Sequence, residues 1–391
     1  MRIFTFTPFD FDLLLFSRDT GLVTRGLQAI GIESKVVLLG KSRAGEHADI
    51  MRITWEQACD PVWWRRWDLD GVVSYSWAQP KYAPCLQAIH AAGIRIFLKL
   101  DCGEAGLTPR LETRAYVRRA YRGYRDSGRS APSAMLGALA KTTVNFFPAY
   151  YLHPLMKYFS MADAIGVESP LGAACLTQAI KLTASVHLAE RIHIVGHPIA
   201  DTMRITGEYK RKQIIAVGRW ESYVKNAPLL MSALDILLRS HPEHVVLICG
   251  TGAQLLRGIA QRLDPSVSAR TRILGAVSND QLPAFYSSSQ IMLVTSRWES
   301  FNIAAAEALC CGCSIVGPGH IGSMRWFVSA DSGTTADDYN AAGLACALEQ
   351  ECRAWETNGR DPARISEHWR AQLAAPMVAR QIVRALRFDV G

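Results

Sequence analysis

Two glutamates, Glu299 and Glu307, lie in a stretch that is otherwise small, apolar or weakly polar. The apolar residues 291–294 before them predict a buried strand, and the alanine-rich residues 303–309 predict a helix. The N-terminus of such a helix offers free N–H groups and positive dipole character to an anion. A carboxylate in an apolar helix is unfavourable unless something binds it. We therefore interpret residues 297–319 as a cradle for a polyhydroxylated, anionic ligand, of which a sugar nucleotide is one example.

A second group of candidate binding residues follows an earlier predicted strand. Gly218 and Arg219 come directly after the apolar residues 213–217, and Lys225 follows shortly afterwards. Glycine allows close approach of the backbone, arginine can fork onto phosphate oxygens, and lysine supplies a point charge. Residues 226–228 (Asn-Ala-Pro) are typical of a helix start. Together these residues suit a diphosphate, and their proximity to the two glutamates in the predicted fold strengthens that interpretation.

Two further strand ends could contribute backbone groups to the same ligand. Gly250 and Gly252 follow the apolar residues 245–249, but no third glycine completes a dinucleotide-binding fingerprint. Val277 follows the next predicted strand, where backbone groups could bind a nucleobase. Ordinary strand-to-helix turns are an equally good interpretation of both places.

The elements that must position these residues are strands alternating with helices. This alternation occupies residues 1–107, returns with strands at 162–169 and 192–195, and restarts at residue 213. Strands this apolar predict parallel sheets covered on both faces. Ligands of such sheets bind beyond the carboxyl ends of the strands. The length of 391 residues predicts two domains. We place a Rossmann-like N-terminal domain at 1–200, a second such domain at 201–370 and a basic helix at 371–391.

The net charge of +8 is concentrated in residues 108–160, which contain nine basic residues and only two acidic residues, Glu112 and Asp126. Aromatic residues interleave with this charge, among them Tyr116, Tyr121 and Tyr124. A basic, aromatic surface fits an anionic membrane face or a phosphorylated acceptor. A solvated helix face is the alternative interpretation. We predict no nucleic-acid partner because no nucleic-acid motif is present.

Targeting and cysteine patterns favour the cytoplasm, and the basic segment 108–160 adds the expectation of peripheral binding at the inner membrane face. The first residues alternate like a strand and do not resemble a signal peptide. Residues 131–159 form the most apolar long window, but polar residues and prolines interrupt it too often for a spanning helix. The ten cysteines are scattered, as in a reducing compartment. Cys310 and Cys313 form a C-x-x-C without a second pair nearby, which favours packing over a metal or redox role.

The carboxyl-terminal half resembles the retaining glycosyltransferases of family 4 (glycosyl transferases group 1), which have the two-domain GT-B fold. The similarity rests on three elements in order, namely VGRWESYVKN, ICGTG and ESFNIAAAE. It extends over residues 160–350 and is weak over residues 1–107. The resemblance implies an α/β fold of two Rossmann-like, doubly wound domains that face each other across a cleft. It also implies transfer of a sugar from a nucleotide-diphosphate donor, with retention, in polysaccharide or glycolipid biosynthesis.

Carried over residue by residue, the resemblance implies a role for each group. Arg219 and Lys225 neutralise the donor diphosphate as leaving group, and Glu299 binds the hydroxyls of the donor sugar. Glu307 accepts hydrogen bonds from the ribose, and Gly21 faces the diphosphate from the first loop of the first domain. The other donor-binding residues share positions at the strand ends or the helix start: Gly218, Gly250, Gly252, Val277, Ser300, Phe301, Asn302 and Ile303.

The resemblance further implies that the donor phosphate takes the acceptor's proton, so that no metal and no other cofactor is expected. The nucleotide-diphosphate sugar is then a co-substrate. The acceptor would bind the first domain near residues 108–160, and a lipid-linked or anionic saccharide fits that basic segment. The helix at 371–391 would pack back on the first domain.

Two departures from the family pattern concern the donor site. Members usually have glycine where Asn302 stands, although asparagine tolerates unusual backbone angles. Many members also carry a histidine near the donor sugar, where this chain has Lys99 and Asp101. We treat Asp101 as a catalytic or acceptor-side candidate, and a strand-end cap is an equally good interpretation of it.

Two alternatives stay open. One keeps the fold and changes the reaction to that of a nucleotide-sugar epimerase or a phosphorylase. The other is a non-catalytic sugar-binding protein, against which the presence of Arg219, Lys225, Glu299 and Glu307 argues.

Overall fold

The computed structural model describes residues 1–10, 13–17, 19–41, 43, 46–76, 78–100, 113–141, 147–207 and 209–388. Tertiary contacts divide the chain into two compact units. The first unit comprises Met1–Phe16, Val23–Val195 and Ala379–Gly391, and the second comprises Ser17–Leu22 and Gly196–Val378. Asp101 lies outside the described residues.

The described part of the first unit contains a seven-stranded sheet. Its strands are β1 (Ile3–Thr7), β2 (Val36–Leu39), β3 (Ile50–Ile53), β4 (Gly71–Tyr75), β5 (Arg95–Lys99), β6 (Ala164–Val167) and β7 (Ile192–Ile194). They lie in the order β3-β2-β1-β4-β5-β6-β7, and all neighbours are parallel. The α-helices along this part of the chain are α1 (Asp19–Ala29), α2 (Trp55–Ala58), α3 (Pro61–Arg65), α4 (Ala83–Ala91), α5 (Thr113–Asp126), α6 (Ala131–Lys141), α7 (Pro148–Phe159) and α8 (Pro170–Leu182).

The described part of the second unit contains a six-stranded parallel sheet. Its strands are β8 (Arg211–Val217), β9 (Val245–Cys249), β10 (Thr271–Gly275), β11 (Ser289–Leu293), β12 (Ser314–Pro318) and β13 (Gly333–Ala336), in the order β10-β9-β8-β11-β12-β13. The helices that follow are α9 (Ala227–Ser240), α10 (Ala253–Ala260), α11 (Pro265–Ala269), α12 (Leu282–Ser288), α13 (Ile303–Cys310), α14 (Gly322–Phe327), α15 (Ala341–Glu356), α16 (Pro362–Leu373) and α17 (Ala375–Ala385).

Both faces of the second sheet are buried, because successive apolar residues of each strand point to opposite sides. Ile215, Leu247 and Ile315 pack on one face with residues of α13 and α16. Ile214 and Val246 pack on the other face with residues of α9 and α15. The helices are thereby fixed over the sheet, and the loops at the strand ends carry the candidate site.

Sequence patterns missed two strands, β3 and β13. Each has only four residues, and each contains polar residues at positions that the pattern expects to be apolar. Both lie at an edge of their sheet, where pairing on one side only requires less apolar surface.

Two predicted elements near the chain ends are corrected. The loop predicted to run through Gly21 is wrong, because α1 begins at Asp19 and Gly21 lies in its first turn. An acidic residue in the first turn stabilises the positive end of a helix, which explains the earlier start. The helix predicted at 371–391 is interrupted, because α16 ends at Leu373 and α17 begins at Ala375. Pro376 cannot donate the backbone hydrogen bond that a continuous helix requires there.

The residues after α17 contact the sheet of the first unit. The Arg95 guanidinium donates to the Leu386 carbonyl at 2.6 Å and lies 4.3 Å from the centre of the Phe388 ring. A side chain at Gly71 would meet Leu386 at 3.3 Å. The predicted boundaries at residues 200 and 370 stay predictions, while the contacts place the divisions after Val195 and Val378.

The cysteines at the end of α13 fill space in the hydrophobic core. Cys310, Cys311 and Cys313 are free thiols with no exposed surface, and they belong to one face of the second core. Among the described helices, none combines the length and apolar character needed to cross a membrane.

Candidate active site

The ends of β8 and β9 are held together through their backbones. Gly218 donates its N–H to the Cys249 carbonyl at 3.1 Å, and the indole of buried Trp220 donates to the same carbonyl at 2.8 Å. Gly250 has φ +117°, and a Cβ there would lie 1.8 Å from the Gly218 carbonyl oxygen. A Cβ at Gly252 would lie 2.6 Å from a carboxylate oxygen of Glu221. These glycines are therefore required by the contact between two loops, whether or not a ligand approaches them.

Lys225 lies across the end of β8. Its aliphatic stem passes 3.3 Å from the position of a Cβ on Gly218, and its Nζ donates to Oε1 of Glu299 at 2.6 Å. The two side chains are 20% and 13% exposed, so this ion pair is accessible from solvent without being fully hydrated. Ser296 also donates to Oε1 of Glu299. The structure thus brings together a lysine and a glutamate that sequence analysis placed on separate strand ends.

Asn302 begins α13 in the left-handed backbone region, with φ 70° and ψ 77°. Its side-chain oxygen accepts a hydrogen bond from the Ala305 N–H at 3.1 Å. Positive φ is the conformation that favours glycine, and asparagine is among the side chains that tolerate it. Asn302 therefore satisfies the backbone requirement of a glycine and also caps the helix.

Glu307 lies within α13 and is partly buried. The Tyr286 hydroxyl donates to its Oε2 at 3.2 Å. Burial raises the pKa of Glu307 from 4.5 to about 7, and the hydrogen bond from Tyr286 opposes that rise. A carboxylate in this setting gains from any ligand that donates further hydrogen bonds to it.

Sequence analysis missed a network that fixes the Lys225 loop against the Glu299 loop. The Arg297 guanidinium stacks 4.2 Å from the centre of the Tyr223 ring and donates to the side-chain oxygen of Asn226 at 3.0 Å. The Asn226 amide donates to the Tyr339 hydroxyl, which donates to the Thr295 carbonyl. Asn226 precedes α9 as predicted, but its side chain makes these contacts and no capping bond. These partners are far apart in sequence, so no local pattern reveals them.

The remaining candidate residues differ in how exposed they are and in what they contact. Arg219 is exposed on the loop after β8. Phe301 is buried against His197 and Phe327, with ring centres 5.0 Å and 5.2 Å away, so it supports the loop from the core side. The other candidates are accessible to different degrees: Ser300 and Val277 are intermediate, Ile303 is 39% exposed and Gly21 is buried in α1.

The sequence of the second unit matches a known family. Residues 200–368 match the model of "Glycosyl transferases group 1". This range includes every candidate donor-site residue except Gly21, so the second unit carries the sequence pattern of that domain.

Curated relatives are similar over parts of their length. The chain is 29% identical to a glycogen synthase of Mycobacterium tuberculosis over 136 residues, which are 35% of this chain and 33% of that protein. It is 27% identical to a D-inositol 3-phosphate glycosyltransferase of Frankia alni over 203 residues, 47% of this chain and 44% of that protein. The matches therefore span a third to less than a half of these relatives.

Solved structures are similar over the whole chain. The Anabaena protein HepE, solved in complex with UDP, matches with a TM-score of 0.67 at 13% identity over 99% of this chain and 100% of that chain. WaaG, a glycosyltransferase involved in lipopolysaccharide biosynthesis, matches with a TM-score of 0.58 at 13% identity over 100% of both chains. At this identity the likeness concerns the fold. It confirms the predicted class, two parallel-sheet α/β domains of the GT-B type.

Proposed function

We propose that this protein is a glycosyltransferase that moves a sugar from a nucleotide-diphosphate sugar to an acceptor. The observation that carries the proposal is the contact between Lys225 and Glu299 at 2.6 Å, made at the start of the helix that Asn302 caps. A cation for phosphate, a carboxylate for sugar hydroxyls and free helix N–H groups are thereby combined in one place. The match of residues 200–368 to glycosyl transferases group 1 supports this assignment.

In this proposal Lys225 exchanges its contact with Glu299 for the donor diphosphate, and Arg219 approaches the same phosphates. Glu299 is then released to accept hydrogen bonds from the donor sugar. Backbone groups of residues 300–303 meet sugar and phosphate, and Glu307 accepts from the ribose hydroxyls. Gly218, Gly250, Gly252 and Val277 line the nucleotide. Gly21 and Asp101 keep their proposed parts at the diphosphate and near the acceptor.

We further propose that transfer retains the anomeric configuration, as in family 4. The donor phosphate would take the acceptor's proton, and Arg219 and Lys225 would stabilise the negative charge of the leaving group. On this view the reaction needs no metal or other cofactor. Nuclear magnetic resonance of the product tests retention through the anomeric coupling constant. Activity that is unchanged by a chelator or by added Mg²⁺ supports the proposal that no metal is needed.

The central test combines donor binding with transfer. A thermal-shift screen with UDP-, GDP- and ADP-sugars should identify one donor, because a ligand of the folded state raises stability. Radiolabel from that donor should then pass to a saccharide or lipid acceptor in a membrane extract. Glu299→Ala should lower the rate at least about 100-fold, and Lys225→Ala comparably.

Matched controls are Glu367→Ala and Lys181→Ala, which change the same residue types on exposed helix surfaces. Undiminished transfer by Glu299→Ala contradicts the proposed site. A sugar nucleotide changed in its sugar would indicate an epimerase, and release of a sugar phosphate would indicate a phosphorylase. Donor binding without any product would indicate a sugar-binding protein.

We also propose a cytoplasmic enzyme that binds an anionic membrane face through residues 108–160 and uses a lipid-linked or anionic saccharide acceptor. Large apolar side chains of this segment are exposed, namely Leu136 at 72%, Phe147 at 64% and Tyr150 at 76%. Exposed apolar groups next to basic helix residues are typical of a peripheral membrane surface.

Flotation with vesicles that contain phosphatidylglycerol tests the membrane proposal. Arg118→Glu with Arg122→Glu should lower the bound fraction, since each basic residue near an anionic surface contributes about 1 kcal/mol, or roughly fivefold. Arg257→Glu with Arg262→Glu makes the same charge change in the second unit and should bind as the original protein does. Equal flotation of both variants argues against this surface.

A further inference from the structure

The connection between α9 and β9 contains two histidines and a glutamate within four residues, His241-Pro242-Glu243-His244. The His244 N–H donates to the His241 carbonyl at 3.3 Å, which closes the segment into a turn. The Arg270 guanidinium donates to the same carbonyl at 3.0 Å and anchors the turn. The centres of the His241 and His244 rings lie 5.6 Å apart.

The spacing of the three side chains is that of metal ligands. Nδ1 of His244 lies 3.2 Å from Oε1 of Glu243, and Nδ1 of His241 lies 3.6 Å from the same oxygen. One ligand atom from each residue lies within 4.8 Å of the others. Zinc–nitrogen and zinc–oxygen bonds of about 2.0–2.2 Å at tetrahedral angles place neighbouring ligand atoms about 3.4 Å apart. The two spacings from Oε1 of Glu243, 3.2 Å and 3.6 Å, are close to that value.

The His244 ring supplies an independent observation. It is 1% exposed, and its Nδ1 has no hydrogen-bond partner of acceptable geometry among the described residues. A buried polar atom without a partner is unfavourable by about 1–3 kcal/mol and often marks an ion or water site. This nitrogen lies beside the Glu243 carboxylate, so a cation held by both groups would satisfy it.

The type of ligand narrows the choice of metal. Two imidazoles and one carboxylate suit zinc and its first-row neighbours, whereas Mg²⁺ and Ca²⁺ prefer oxygen ligands. Three protein ligands leave one tetrahedral position for water. Lys212 opposes a cation here, because its Nζ lies 3.4 Å from Oε1 of Glu243. Its shorter contact, 2.7 Å, is with Glu356, and exposure of Lys212 and Glu243 screens the repulsion.

We propose that His241, Glu243 and His244 bind one Zn²⁺ or a similar first-row divalent cation. The site lies at the C-terminal end of α9, a helix of 14 residues that begins beside Lys225. At 1.5 Å per residue this helix separates the cation from the donor site by about 20 Å. The cation would tie α9 to β9 and stabilise the second unit without touching the candidate active site.

The test uses the full-length, tag-free protein after removal of metals by a chelator. Titration calorimetry with ZnCl2 should show one site, and added ZnCl2 should raise the melting temperature. His241→Asn and Glu243→Gln remove ligands that are not fully buried, so both variants should fold. Each should weaken zinc binding by at least about tenfold and abolish the thermal shift. Substitution with CoCl2 should give the visible absorption of a tetrahedral site.

The control variant is His90→Asn with His187→Asn, two exposed histidines outside this turn. It should bind zinc as the original protein does. Lys212→Gln removes the opposing charge and should tighten binding severalfold, whereas a purely structural lysine would leave the affinity unchanged. Zinc affinity that is equal in the original protein and in His241→Asn and Glu243→Gln overturns the proposal, as does the absence of a zinc-dependent thermal shift.

Discussion

The Glu307 carboxylate lies among apolar residues of α13, and its burial makes the free energy of unfolding depend on pH. Because the folded-state pKa is about 7 and the ordinary value is 4.5, the folded protein binds more protons than the unfolded chain between these values. The free energy of unfolding therefore falls as the pH rises through this window. A ligand that donates hydrogen bonds to the Glu307 carboxylate would lower this pKa.

Glu307→Gln keeps an acceptor for Tyr286 and removes the ionisation. At pH 8 the variant should be more stable than the original protein by up to about 3 kcal/mol, and at pH 4.5 the two should be similar. Urea unfolding at both pH values measures this difference. Glu190→Gln, on an exposed residue, should show no such pH-dependent gain, and a Glu307→Gln variant less stable at pH 8 contradicts the argument.

Asn302 contributes to stability in two ways, through the helix cap and through its tolerance of a positive backbone angle. Substitution by alanine and by glycine separates the two contributions. Asn302→Ala loses the cap on Ala305 and puts a Cβ without local hydrogen bonding at φ 70°, so it should lower the free energy of unfolding by about 2 kcal/mol. Asn302→Gly keeps the backbone angle accessible and should lower it by only a few tenths of a kcal/mol. Chemical denaturation compares the two variants. Equal losses would mean that the backbone angle is unimportant.

At the scale of elements, the loops after β8 and β9 depend on Gly250. Gly250→Ala would put a Cβ 1.8 Å from the Gly218 carbonyl oxygen at φ +117°, and a backbone atom cannot move away easily. We expect a loss of about 3 kcal/mol or more in the free energy of unfolding. Gly258→Ala in α10 is the matched control, because a Cβ there meets nothing within 4 Å. It should gain about 0.5–1 kcal/mol. Thermal and urea unfolding measure both.

The loop after α15 is held by a buried ion pair. Arg360 donates two hydrogen bonds to Glu351, at 2.6 Å and 2.8 Å, and the side chains are 7% and 0% exposed. Arg360→Met would leave an uncompensated buried carboxylate and should lower the free energy of unfolding by about 3–5 kcal/mol. Arg353→Gln breaks an exposed pair with Glu349 on the same helix and should change it by less than about 1 kcal/mol. Similar effects of both changes would show that burial does not determine how much an ion pair contributes to stability.

How far the sequence predicts these elements depends on how long and how continuously apolar each strand is. Central strands such as β8 and β11 are continuous apolar runs and were readily recognised, as was α9. The edge strands β3 and β13 are short and mixed, so no periodicity identifies them. The grouping of Gly218, Lys225, Glu299 and Glu307 at neighbouring strand ends follows from the parallel-sheet rule. The contacts of Arg297 with Tyr223 and Asn226 do not follow, because they depend on packing between distant segments.

At the scale of the whole molecule, the division into units does not follow the order of the sequence. Ala379–Gly391 belong with the first unit, and Ile382, Val383 and Leu386 of this segment are buried. The predicted helix at 371–391 therefore combines residues grouped with different units. The sequence pattern could not place this division, because α17 continues across it without interruption.

Truncation after Val378 tests the contribution of this segment. The shortened chain loses the hydrogen bonds of Arg95 to residues 386 and 387 and exposes the apolar residues packed there. Hydrogen exchange should become faster in β4 and β5, while β8 and β11 should keep their protection. Arg380→Gln, which replaces a partly buried residue on α17, serves as the control for mutation without truncation. Unchanged exchange in β4 and β5 contradicts this role.

The same grouping has a consequence for synthesis on the ribosome. Translation delivers the chain from its amino terminus, so the second unit has all its segments once residue 378 has emerged. The first unit, although begun earlier, still lacks its last thirteen residues at that moment. The unit that is begun first is thus completed second, because residues 379–391 reach it only after the second unit has all its segments.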